Sequence, residues 1–140
     1  MDHGELDALV AEKVMGWYHK DWKTVTHGTS GWIRKHPPLQ EYWYCKVNGK
    51  DTRMNTLSWS PSTNIAAAWQ VVSKMKETQP FFSLYYDDRS EIDPAYWFCD
   101  WSTEYRSGIG AKAESAPLAI CLAALKTVGV NIENGEIVDA

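Results

Sequence analysis

The sequence predicts an α+β domain in which antiparallel strands are covered by three main helices. Three observations carry that expectation. Apolar residues recur at three- and four-residue steps in three separate stretches, strand-like runs come in adjacent pairs joined by turn residues, and the 140 residues are 44% hydrophobic. The first marks amphipathic helices and the second marks hairpins, hence antiparallel pairing. The third suits one compact domain over residues 1–140, because a chain of this length buries roughly 68–70% of the surface it exposes when unfolded. A sheet of about four or five strands sandwiched between helices buries every apolar stripe.

In chain order, Leu6, Leu9, Val10, Val14 and Trp17 lie at helical spacing, and Glu5, Asp7, Glu12 and Lys13 are assigned to the opposite, solvated face. This helix ends near Gly16. From Trp17 to Gln40 no period persists: the stretch holds Trp22, Trp32, His19, His27, His36, a Gly28-Thr29-Ser30-Gly31 run and Pro37-Pro38. It reads as an irregular connection with a short strand near Gly31 to Arg34, and connections beyond about 12–15 residues are often functional. Glu41 to Val47 and Lys50 to Leu57 flank Asn48-Gly49, a strong hairpin signal.

The best-marked helix is Ser60 to Lys76, and the remainder is expected to pack around it. Pro61 stands just outside, Ser62 or Thr63 is the expected cap, and Ile65, Ala68, Trp69, Val72 and Met75 form the expected buried stripe. Phe81 to Tyr86 and Ala95 to Trp101 are a second strand pair across the polar connection Asp87 to Pro94. Ser107-Gly108-Ile109-Gly110 reads as a loop. It leads to a third helix capped by Ser115, with Pro117 in its first turn, a stripe of Leu118, Cys121, Leu122, Leu125 and Val128, and an end at Gly129. The acidic tail from Val130 is a short edge strand over Asn131 to Val138, or frayed.

A formal charge of −4 argues against a protein whose main task is to hold duplex DNA, which selects for positive charge against phosphates. Cys45, Cys99 and Cys121 show no C-x-x-C spacing, so neither a disulfide framework nor a thiolate zinc site is indicated and a reducing cytoplasm is expected. No run approaches the ~20 apolar residues that span a bilayer, so no membrane partner is expected.

Three blocks then carry a resemblance. Leu6-Asp7-Ala8-Leu9-Val10-Ala11-Glu12-Lys13-Val14-Met15-Gly16-Trp17, Ser62-Thr63-Asn64-Ile65-Ala66-Ala67-Ala68-Trp69-Gln70-Val71-Val72 and Ala116-Pro117-Leu118-Ala119-Ile120-Cys121-Leu122-Ala123-Ala124-Leu125 resemble the phage ABA sandwich domain family. The resemblance implies a small phage or prophage protein with helices on both faces of a sheet. It supplies no catalytic residues. The chain departs from the family pattern in a longer, His- and Trp-rich region from Tyr18 to Thr56, and in Asn64 where an aspartate is usual.

Function is sought in the aromatic surplus: eight tryptophans and seven tyrosines against three phenylalanines. Rings with a polar edge suit a surface packed on one side and open to a ligand on the other. Trp32, Arg34, Lys35, Tyr42, Trp43, Tyr44, Arg53 and Trp59 mix flat rings with cations, and rings of this kind stack on bases at about 1–3 kcal/mol per base. Ser62, Thr63 and Ser115 sit at helix starts that favour anions. The plainer reading sends alternate strand rings into the core and the cations to solvent. The ligand-binding expectation is therefore Trp32, Arg34, Tyr42, Trp43, Arg53, Trp59, Ser62 and Thr63. The expected partner is a small nucleotide-like ligand, sequestered without chemistry and without a cofactor by a homo-oligomer. A protein–protein interaction module is the alternative, and an enzyme ranks third. His19, His27 and His36 match no zinc spacing, and Asp87, Asp88, Glu91 and Asp93 are what a polar turn requires. Gly108-x-Gly110-x-Lys112 offers a weak anion loop that lacks the full phosphate-loop pattern.

Overall fold

The computed structural model describes residues 1–19, 22–24, 32–34, 42–89, 91 and 94–138, with backbone alone at 22–24, 32–34 and 107. Asp2 opens the first helix, α1 (His3–Leu9), by accepting the Glu5 N–H at 2.8 Å. The helix runs on through a π-helical turn, Val10–Val14, and stops where Gly16 takes a φ of 75°. The wider turn keeps Val10, Ala11 and Val14 all buried and sets the Trp17 N–H on the Ala11 carbonyl at 2.8 Å.

Strands β1 (Trp22–Thr24) and β2 (Trp32–Arg34) pair antiparallel, so the short strand expected near Gly31 to Arg34 is present with a partner. His27, Lys35 and His36 lie outside the described residues. Strands β3 (Tyr42–Val47) and β4 (Lys50–Thr56) form the hairpin that Asn48-Gly49 announces, with φ of 51° and 77° at the turn.

Helix α2 (Ile65–Met75) corrects two details. Its cap is Asn64, which accepts the Ala67 N–H at 3.0 Å, in place of Ser62 or Thr63. Its buried face is Ala67, Ala68, Val71, Val72 and Met75, while Ile65 and Trp69 remain 44% and 46% exposed. Both sets obey a 3.6-residue period, and contact with α3 selects the one whose alanines allow close approach.

Strands β5 (Phe81–Asp87), β6 (Tyr96–Thr103) and β7 (Arg106–Ala113) form a three-stranded antiparallel sheet in that order. Strand β7 contains the stretch expected as a loop. Its glycines face neighbouring side chains: a Cβ on Gly110 would stand 2.5 Å from the Phe98 ring and 2.9 Å from the Cys99 carbonyl, and one on Gly108 would stand 2.8 Å from the Asp100 carboxylate. Glycine is there for space beside β6, which a local reading takes for flexibility.

Ser115 caps α3 (Ala116–Thr127) by accepting the Leu118 N–H, and Gly129 ends it with a φ of 93°. The expected stripe understates its burial. Ala119, Ile120, Cys121, Ala123, Ala124 and Leu125 are all buried, whereas Val128 is exposed and Leu118 and Leu122 are half-buried. It meets β6, β7, α2, the π-helical turn and the tail, so α3, and not α2, is the element the others pack around. The tail itself is a hairpin, β8 (Asn131–Glu133) and β9 (Glu136–Val138), turning through Asn134-Gly135 at φ of 53° and 77°.

The fold is α+β with antiparallel sheets and three main helices. The core face of the three-stranded sheet presents Phe82, Leu84, Cys99 and Trp101 to the helices, with Phe82 and Trp101 rings 4.5 Å apart. On the opposite face Tyr85 stacks on Phe98 at 5.3 Å and stays 46% exposed. Among the described residues no helix is long and apolar enough to cross a membrane.

Candidate functional site

The turn before α2 and the start of α1 are joined by a small polar network. Asp7 is buried on α1, one residue beyond Leu6, and accepts the backbone N–H of the buried Ser62 at 2.9 Å. The Ser62 hydroxyl lies 3.1 Å from His3 Nδ1. Burial pushes the Asp7 carboxyl above its usual range, while hydrogen bonds from Ser62 pull it back. The amphipathic pattern assigns Asp7 to the solvated face, yet Asp7, Val10, Ala11 and Val14 also obey helical spacing. That spacing is the signal for its burial.

Beside this network, Trp43 from β3, Leu57 and Trp59 face Asp2, Glu5 and Asp7 across a hollow of about 420 Å³, with Ser58 and Ser60 on its rim. The π-helical turn positions its aromatic wall. Trp17, carried in by that turn, packs on Trp59 with ring centres 4.7 Å apart, and the Trp59 indole N–H donates to Gln70 at 2.6 Å. Tyr18 exchanges both backbone hydrogen bonds with Tyr44, at 2.8 and 2.9 Å, which brings buried His19 edge-on to Trp43. A second, polar hollow of about 270 Å³ shares Ser58, Trp59 and Ser60 and runs along the first turn of α2, past Asn64, Ala66 and Gln70.

Of the residues expected to bind a ligand, Trp43 and Trp59 are therefore brought together. Tyr42 and Arg53 stand elsewhere on the hairpin, the guanidinium 4.6 Å above the tyrosine ring. Ser62 is committed to Asp7 and His3, and Thr63 is exposed in the turn ahead of α2. Trp32 and Arg34 have backbone positions on β2, and their side chains lie outside the described residues. Among the described residues lining the larger hollow there is no lysine or arginine, and three carboxylates supply its charge. Sequence reasoning missed those carboxylates because a helix opening with acids is also what the helix dipole favours.

Other candidates resolve differently. Asp87 is held by the Arg89 side chain and backbone N–H at 3.1–3.2 Å, which lowers its pKa to about 2, and Tyr96 adds a further hydrogen bond. This is an ion-paired turn, and Asp93 lies outside the described residues. Among the described residues no three His, Cys, Asp or Glu side chains converge to hold a metal. Gly108, Gly110 and Lys112 are strand residues, so the anion loop imagined from their spacing does not exist.

The sequence signature described as the phage ABA sandwich domain matches residues 8–125. The crystal structure of a phage protein from Bacillus cereus superimposes with a TM-score of 0.58 at 21% identity, over 95% of this chain and 93% of that one, a likeness of fold. Among curated proteins no relative matches.

Proposed function

The chain belongs to the phage ABA sandwich domain family, and on that premise we propose that it is a phage accessory protein that binds a small nucleotide-like ligand by its base. The observation that carries this reading is one hollow with indole and aliphatic walls on one side and three carboxylates on the other. About 300–1,000 Å³ is the range of small-molecule sites, and a hollow of about 420 Å³ falls within it. Leu57 and the small open parts of Trp43 and Trp59, which are 3% and 7% exposed, provide apolar surface for a flat ring, and carboxylates accept hydrogen bonds from exocyclic amino groups. Negative charge around the ring makes this a base end. The sugar and phosphates belong outside it, towards Ser58, Ser60 and the first turn of α2, where the lining is neutral. The ligand is retained without chemistry, and the use that suits a phage protein of this kind is sequestration of a host signalling nucleotide.

Calorimetry against a panel of nucleosides, cyclic nucleotides and ADP-ribose-type nucleotides tests it. One member binds, and ligands with amino-bearing bases outrank those without. Glu5→Gln keeps the helix and weakens that binding by about 1–3 kcal/mol, the scale of one charged hydrogen bond. Silence across the panel with a folded protein removes the reading, and turnover of the bound member replaces sequestration with catalysis.

A further inference from the structure

The three-stranded sheet and the β8–β9 hairpin lie against the same helix, α3, yet among the described residues no strand ladder joins them. Between them runs a groove made of two adjoining hollows, of about 410 and 760 Å³, which share Lys112, Leu122, Ile132 and Glu133. At the smaller hollow one wall is β7, the end strand of its sheet among the described residues, and the other is β8, while the start of α1, from Met1 to Leu6, bounds the larger hollow. Half-buried Leu118 and Leu122 of α3 form an apolar floor.

The wall offers main-chain hydrogen bonds. The Gly110 carbonyl accepts Lys126 Nζ at 3.2 Å, so it points away from β6 and into the groove. In an antiparallel ladder a residue turns its N–H and C=O the same way and its second neighbour follows suit, so Gly110 and Lys112 both direct backbone groups outward. An edge strand of this kind is a template for another strand, and a lysine laid over it is a device that keeps strands away until something displaces it. At the Gly110 end Lys112, whose Nζ lies 5.3 Å over the Tyr96 ring, and Lys126 stand against one carboxylate, Glu133, so this end carries a net positive charge, whereas Asp2, Glu114 and Glu133 line the larger hollow.

We infer that this groove takes one extended peptide strand of a partner protein, which hydrogen-bonds to the outer edge of β7 and joins the three-stranded sheet to the β8–β9 hairpin. Alternate apolar side chains of that strand rest on Leu118 and Leu122. An acidic side chain meets Lys112 and Lys126, replacing the Gly110 carbonyl as the partner of Lys126. Apart from Asp2, the groove is lined by residues different from those around Trp43 and Trp59, so the inference stands apart from the nucleotide reading.

The probe is a fluorescein-labelled synthetic peptide of alternating valine and glutamate, titrated into the full chain by anisotropy, with a version methylated on alternate backbone nitrogens and a valine–lysine version as comparisons. Binding by the valine–glutamate peptide, about tenfold or more stronger than by either comparison, and slowed hydrogen exchange at Gly110 and Lys112 are expected. Lys126→Glu reverses the preference between the glutamate and lysine peptides while circular dichroism shows the fold kept. Equal binding of the methylated peptide, no saturation with any peptide, or a β7-to-β7 dimer in sedimentation that excludes the peptide would each overturn the inference.

Discussion

At the scale of single residues, burial decides chemistry. Cys99 is buried and its thiol is pushed up to about 12, Cys121 is raised by the same cause, and Cys45 on β3 is only half-buried. A thiol reagent at neutral pH should therefore label Cys45 in the native protein and all three cysteines only after denaturation. Asp7 is the acid counterpart. Because its folded pKa lies above 3.8, mainly through burial, its contribution to stability is fully present below 3.8 and is lost as pH rises through the folded value. Asp7→Asn can still accept the Ser62 N–H, so just above 3.8 the variant should gain stability relative to the native protein as pH rises, read by urea unfolding. A relative loss of stability with rising pH would show that the Ser62 hydrogen bonds outweigh burial.

At the scale of elements, caps and close approaches separate what local sequence can reveal from what it cannot. Asn64→Ala should lose about 1 kcal/mol by thermal or urea unfolding, the usual value of an N-cap, and Thr63→Ala should change little. Gly110→Ala should cost about 1–3 kcal/mol, because the added carbon meets Phe98 and a backbone carbonyl within one sheet. If Gly110→Ala were neutral, β7 would not lie against β6 as described. Asn48-Gly49, Ser115 and Gly129 were legible because each acts on its own few residues. Strand β7 was not, since Gly110 looks flexible in sequence and is explained only by a ring from the neighbouring strand. The face of α2 was ambiguous for the same reason: Ile65 and Trp69 are as well spaced as Ala67 and Val71.

At the scale of the whole molecule, the core lies where α3 meets β6 and α2, and β4 is an open strand, with nearly every side chain exposed. Amide hydrogen exchange should be slowest in Cys99–Trp101 and Ala119–Leu125 and fastest in Lys50–Met54, since local opening follows the density of buried contacts. Uniform exchange across these segments would contradict a core centred on α3. The aromatic surplus divides at this scale too. Trp17, Trp43, Trp59 and Trp101 are buried, while Phe81, Tyr85, Tyr86 and Tyr105 remain open to solvent. Composition counts rings and cannot say which of them share a wall.

By itself the sequence determined the α+β class, the three helices, the Asn48-Gly49 hairpin and the family, because periodicity, turn chemistry and block order are local properties of the chain. Only the tertiary structure decided that α3 is central, that of two possible faces of α1 the one carrying Asp7 comes to lie beside Trp43 and Trp59, and that, among the described residues, β7 is an end strand facing β8. Each of those depends on which residues distant in sequence come to rest against one another, and no local pattern encodes that contact.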